Sequence, residues 1–220
     1  MGARRGRCIR ARPGVDAIVD KFLDLEETVA TVDHLQAFLQ WTTPDAFDVD
    51  LEQLRDAEIT VAESENPWAM VNAHVSQLRE AEDLRLALPV AGLHGYEVLH
   101  ERVLAGEATV DSVVTDGVAE AMTTDPEYAP FTADLLAADG FEMRRTSTEI
   151  PFFVGVLDDV VQVGVDEGGE PRALLETEND VVREWARETL AAFKRTAETV
   201  TADDVSSDAV STATESSSER

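Results

Sequence analysis

The sequence predicts an α/β protein: a mixed sheet with flanking helices, preceded by a long N-terminal helix. Three observations predict it. Apolar residues recur at three-four spacing over Val15 to Leu39, the signature of one helical face. Short apolar runs then alternate with helical segments, as strands and crossover helices do. Finally, three apolar runs near the C-terminal end are separated by Asp158-Asp159 and Gly168-Gly169, dipeptides that suit tight antiparallel turns. The chain has 220 residues with 45 acidic against 18 basic, a formal net charge of -27, yet 44% of residues are hydrophobic. Disordered acidic chains lack that apolar content, so a folded core is expected.

In order, Val15, Ile18, Phe22, Leu25, Val29, Val32 and Leu39 form the first helix, and Thr42, Thr43 and Pro44 stop it. Phe47, Val49, Leu51 and Leu54 follow in an acidic turn. Ile59 to Ala62 reads as a short buried strand. Pro67, acceptable in a first helical turn, opens a helix with Met70, Val71, His74, Val75 and Leu78 on one face. A strand from Leu84 to Val90 leads through Gly92 and Gly95 into a helix from Tyr96 to Leu104, and Thr109 to Val114 is the next strand. Helical stretches Val118 to Met122 and Tyr128 to Ala138 precede a strand from Phe141 to Arg144. Phe152 to Leu157, Val160 to Val165 and Arg172 to Glu176 make the antiparallel part. Asp180 is expected to cap a last helix running to about Val200, in which Trp185 and Phe193 seal a core, the alternative being contact with a partner. Four regions result: an Arg-rich lead (1–13), a linker and dimerisation helix (14–41), an α/β effector-sensing domain (42–200) and a solvated Ser/Thr-rich acidic tail (201–220).

Only two of the 18 basic residues are lysines, Lys21 and Lys194. Scarce Lys with abundant Asp and Glu is the look of a protein adapted to molar salt, where the Debye length is about 3 Å and like charges scarcely repel. The charge therefore does not call for a cationic partner. A single cysteine, Cys8, excludes an internal disulfide and a cysteine zinc site. No run is long enough for a membrane span and no signal peptide is apparent, so a cytoplasmic location is expected.

The blocks "PWAMVNAHVSQLREAEDLRLALPVAGLHGYEVLHERVLAG" and "EIPFFVGVLDDVVQVGVDEGGEPRALLETEN" resemble haloarchaeal winged helix-turn-helix transcriptional regulators of the methanogenesis-regulatory-protein type. The likeness runs from Ala57 to Val200, and "VDAIVDKFLDLEETVATVDHLQAFLQW" is similar to the linker helix of those regulators. It implies a transcriptional regulator with an effector-sensing C-terminal domain. Only 13 residues precede the linker, too few for a winged helix, so an error at the gene start is expected and DNA contact would run only through a winged helix absent from this chain. The helix-strand unit "VLHERVLAGEATVDSVVTD" and the hairpin "FFVGVLDDVVQVGV" also resemble phospholipase-D-like sensor domains. Enzymes of that fold use an H-x-K motif, and no Lys lies between residues 22 and 193, which disfavours phosphodiesterase chemistry.

No phosphate-cradling G-x-x-x-x-G-K, G-x-S-x-G elbow or dinucleotide glycine spacing occurs, so the protein is expected not to be an enzyme and to need no cofactor. His94, Glu97, His100 and Glu101 approach a metal cluster without its spacing, and no metal is expected. Asp158 and Asp159 are explained by a turn. In open α/β sheets ligands gather beyond the carboxyl ends of the strands. A small-molecule effector site is therefore expected at His94, Tyr96 and Asp116, with Trp68 and Met70 as apolar lining; the alternative for Trp68 and Met70 is core packing. For assembly, Val15, Phe22, Val29 and Gln36 fall at heptad a and Ile18, Leu25, Val32 and Leu39 at d, an apolar seam for a homodimer interrupted only by Gln36. Because Val19, Leu23 and Leu35 widen the stripe, packing on its own domain is the competing reading. Two rival functions are a stand-alone interaction protein forming mixed dimers with intact regulators, and an enzyme of the phospholipase-D fold.

Overall fold

The computed structural model describes residues 13–42, 47–206 and 209; in the first helix it describes side chains at 18, 19, 21–23 and from 25 onward. The Arg-rich lead and most of the tail lie outside the described residues. Helix α1 spans Pro13–Leu39, and a 3-10 turn at Leu51–Leu54 leads to β1 (Glu58–Val61). Then follow α2 (Ala69–Leu78), β2 (Asp83–Leu88), α3 (Leu93–Leu104), β3 (Thr109–Thr115), α4 (Asp116–Thr124), α5 (Ala129–Ala137) and β4 (Phe141–Thr146). The antiparallel part comprises β5 (Phe153–Leu157), β6 (Val160–Glu167) and β7 (Glu170–Thr177), followed by α6 (Asp180–Lys194) and β8 (Glu198–Thr199).

All eight strands join one sheet in the order β1-β7-β6-β5-β2-β3-β4-β8. β2, β3 and β4 run parallel, in register from Leu84 against Val110 and Val110 against Phe141. Every other pairing is antiparallel, which makes the sheet mixed, as the hairpin turns after the strand-helix series predict. The two turn dipeptides behave accordingly. Gly168 and Gly169 both adopt positive φ (63° and 86°) in the β6–β7 turn, and Asp158 does so (53°) between β5 and β6. The Asp158 carboxylate then accepts hydrogen bonds from the backbone N–H groups of Glu82 and Asp83. The turn is thereby tied to the start of β2.

Each face of the sheet is covered, so its strands alternate between two apolar cores. On one face Leu84, Leu86, Val110, Val114, Met143 and Leu157 pack against α2 to α5. On the other, Ala87, Val113, Val154, Val163 and Leu175 meet Val182, Ala186 and Leu190 of α6 together with Leu35 and Phe38 of α1. Trp185 stacks on Phe152 and meets Phe47 edge-on, ring centroids 6.3 and 5.1 Å apart, which is the sealing role its spacing predicts.

Four expectations are corrected. β1 is not buried: its residues are half-buried or exposed, because it lies at the sheet edge, antiparallel to β7. The cap of α6 is Asn179, whose side chain accepts from the N–H groups of Val181 and Val182; Asp180 is the first helical residue, where its charge complements the helix dipole. That helix ends at Lys194 rather than near Val200, and the chain turns to add β8 to the sheet edge. Residues 201–206, expected to belong to a disordered solvated tail, are exposed or half-buried but ordered: Thr201 and Asp204 form a capping box, and the Ser206 N–H donates to the Thr123 carbonyl.

Helix α1 divides its apolar residues between two sides. Thr31, Leu35 and Phe38 are buried against the domain, assisted by His34, whose Nε2 contacts the Ala57 carbonyl at 2.7 Å, and by the Glu27–Arg55 ion pair at 2.9 Å. Leu39 packs on the same core. Ile18, Phe22, Leu25, Val29 and Val32 remain exposed. At 3.6 residues per turn their mean direction lies about 130° around the helix from that of the buried three.

The centre of the sheet has no spare volume at Gly155. A Cβ there would stand 2.8 Å from Phe153, 2.9 Å from Leu157 and 3.2 Å from Leu86. Gly155→Ala should therefore cost about 1–3 kcal/mol through overpacking, measured by urea denaturation with an unchanged m-value. A stability equal to wild type would show that the core is looser than this.

Candidate functional site

Helices α3 and α4 both begin where a parallel strand ends: β2 at Leu88, β3 at Thr115. This end of the sheet is where ligands of α/β proteins gather, and it carries most of the residues expected to bind an effector. The structure does not bring those residues together. His94 is exposed in the first turn of α3, its Nδ1 3.6 Å from Glu97. Trp68, at the N-cap of α2, is 62% exposed. Met70 and Tyr96 are buried. The Tyr96 hydroxyl lies 3.0 Å from Thr132 Oγ1, which also contacts the Met122 carbonyl at 2.7 Å. A carbonyl only accepts, so with Thr132 donating to Met122, the phenol donates to Thr132. Burial pushes the phenol up to about 12, and Tyr96 is a neutral core residue.

Of the five, Asp116 lines an open groove of about 490 Å³ and the other four do not. Asp116, Glu120 and Thr123 of α4 form one wall, Arg145 of β4 and Glu198 of β8 another, and Asp204 closes the end, with Ala119 and Val200 as apolar lining. Arg145 is held 3.3 Å from Glu198. Asp204 accepts from the Thr201 N–H at 2.8 Å and the Thr201 hydroxyl at 2.9 Å, and the backbone N–H first, then the hydroxyl, draws its carboxyl below the usual range. Asp116 and Glu120, one turn apart, carry no such internal bond among those described and face the groove as acceptors. One guanidinium among four carboxylates makes a polar site of mixed but mainly negative charge, suited to a small molecule that carries a cationic group.

Sequence reasoning missed Arg145, Glu198 and Asp204, because two of them belong to the segment after α6 that was read as helix end and tail. The remaining candidate cluster is dispersed. His100 Nε2 is 3.0 Å from the Asp134 carboxylate with its ring edge-on to Phe131, away from the His94–Glu97 pair. Among the described residues no three His, Cys, Asp or Glu side chains are grouped to hold a metal ion, and no helix is long and apolar enough to cross a membrane.

The family described as the methanogenesis regulatory protein FilR1, middle domain, matches residues 67–196. Among solved structures, TrmBL2, described as an archaeal chromatin protein showing a novel mode of DNA binding, is similar with a TM-score of 0.51 at 11% identity, over 85% of this chain and 68% of that one. NucT from Helicobacter pylori gives 0.52 at 11% identity, over 66% of this chain and 99% of its own. Nuc, a phospholipase D family member from Salmonella typhimurium, gives 0.49 at 15% identity over the same shares. At such identities TrmBL2 and NucT share the fold alone. No curated protein matches the sequence. The family match begins at the helix that follows β1, ends two residues after α6 and takes in the strands β2 to β7 between them, so the chain belongs to the FilR1 middle-domain family.

Proposed function

We propose that this chain is the effector-sensing and dimerisation portion of a cytoplasmic transcriptional regulator, without enzymatic activity of its own. The observation that carries the reading is the outward stripe of α1. Ile18, Phe22, Leu25, Val29 and Val32 are all at least 39% exposed on one face of the helix, while the same helix is anchored to its own domain by Thr31, Leu35 and Phe38. The two competing readings of this helix thus describe its two sides. The side chain of Val15, the first expected seam residue, is outside the described residues, and Leu39 serves the domain rather than the seam. The occupant we assign to the stripe is a second copy, because an a/d repeat is self-complementary.

The effector site we assign to the groove beside Asp116 rather than to the full set expected from sequence. Tyr96 and Met70 serve the core, and His94 and Trp68 do not line the groove. The reading without enzymatic activity rests on the missing Lys of the H-x-K motif, since no Lys lies between residues 22 and 193. Operator binding would require a basic reading surface, whereas beyond residue 13 the chain holds 13 basic and 45 acidic residues, a net charge of -32.

Three outcomes test this reading. Light scattering in molar KCl at micromolar concentration should give twice the 24.0 kDa chain mass, and Leu25→Asp should return it to monomer with an affinity loss of about 100-fold or more, since the carboxylate would be buried unpaired in the seam. A monomeric wild type rejects the dimer. In a thermal-shift screen of small metabolites, a ligand that stabilises the protein should bind about tenfold more weakly to Asp116→Asn, with the unliganded melting point unchanged and His94→Ala without effect; the reverse ranking moves the site to α3. Finally, the chain as it stands should show no sequence-specific band shift, and a shift competed by one DNA sequence alone would contradict the reading.

A further inference from the structure

Helix α1 carries six acidic residues and a single lysine or arginine, Lys21. The chain's other lysine, Lys194, is engaged by Asp111 on β3. In the heptad frame of the outward stripe, with Phe22 and Val29 at a and Leu25 and Val32 at d, Lys21 falls at g, while Val19, Glu26 and Asp33 fall at e. These positions flank an a/d seam on its two sides. Toward the C-terminal end the domain takes the g side: Leu35 is buried in it, and Thr28 lies in the cleft that α1 forms with Leu51, Glu52 and Arg55. Lys21, one heptad earlier, is exposed like every described side chain from Ile18 to Ala30, Glu26 among them.

The two charges have little to do within their own chain. Glu26 has only apolar residues one turn away, Phe22, Leu23, Val29 and Ala30; it is the next residue, Glu27, that reaches Arg55 at 2.9 Å. Lys21 has one acid within a turn, Asp24 at i+3. Lys21 and Glu26 cannot meet in one helix, because five residues turn the chain by about 140° and set them on opposite flanks of the seam.

Between two copies they can. In a parallel, in-register pair a g residue faces the e residue five positions on in the other chain, whereas in an antiparallel pair e faces e and g faces g. An antiparallel pair would set the row Val19, Glu26 and Asp33 against its own copy, where Glu26 finds no cation. Among the parallel g–e combinations along α1, Gly14–Val19, Lys21–Glu26 and Thr28–Asp33, the second joins opposite charges and the others do not.

We propose that the second copy on α1 is held parallel and in register by two symmetric ion pairs, Lys21 of each copy with the partner's Glu26. This rests on the dimer assigned above and adds what selects its orientation. The apolar seam supplies the affinity, and the charges on its flanks exclude the antiparallel alternative.

Sedimentation equilibrium of the full chain tests the pair with Lys21→Glu, Glu26→Lys and the double variant. Molar KCl screens the general repulsion between two acidic copies, and both positions are exposed, outside the core, so folding is not at stake. Each single swap turns two attractions into two repulsions and should weaken the dimer about five- to tenfold. The double variant, with the charges exchanged across the seam, should return to within about twofold of wild type. A dimer indifferent to the single swaps, or a double variant as weak as the two losses combined, overturns the ion pair and leaves the dimer standing. A loss with Lys21→Glu but none with Glu26→Lys assigns Lys21 to Asp24 and overturns it as well. A wild type that stays monomeric overturns the dimer and the pair together.

Discussion

A single helix cannot bury two stripes about 130° apart against one domain, and this constraint organises the protein. The C-terminal half of α1 solves its own problem by burying Thr31, Leu35 and Phe38, of which Leu35 and Phe38 enter the core formed with Phe152, Val154 and Leu175. The N-terminal half runs past the domain with Ile18, Phe22, Leu25, Val29 and Val32 uncovered. Full burial of a side chain of this size is worth about 1.5–3 kcal/mol. Leaving five such side chains in water on one face makes sense when something else covers them.

The same economy of faces explains the sheet. Parallel strands β2, β3 and β4 need helices on both sides, and α3 to α5 supply one layer while α6 supplies the other. The antiparallel hairpins β5 to β7 extend that surface far enough for α1 to dock, which is why β1 and β7, rather than the parallel strands, carry α1. Likeness to TrmBL2 and NucT gives the fold alone, and fold does not imply function, so the chemistry rests on the residues in the groove rather than on the fold.

Much of the fold was legible because its signals are local. Three-four apolar spacing marked the helices and short apolar runs between them marked the strands, and the Asp158-Asp159 and Gly168-Gly169 turns announced the hairpins. What could not be read is non-local. The residues at the strand ends were correctly placed at one end of the sheet, yet nothing in the sequence distinguishes Tyr96, turned inward to Thr132, from Asp116, turned outward to the groove. Arg145 and Asp204 meet only because β8 returns to the β4 edge, a two-residue pairing with no periodicity to detect. Leu35, which looked like a widening of the seam, is the start of the other face.

The central claim is that the outward stripe of α1 meets its own copy in parallel register. Cross-linking in a Cys8→Ser background tests it most directly: Val29→Cys, at a heptad a position, should form an intermolecular disulfide under mild oxidation, whereas Glu27→Cys on the domain-facing side should not. A Val29→Cys protein that stays monomeric on non-reducing gels, or one that cross-links no better than Glu27→Cys, would contradict the account.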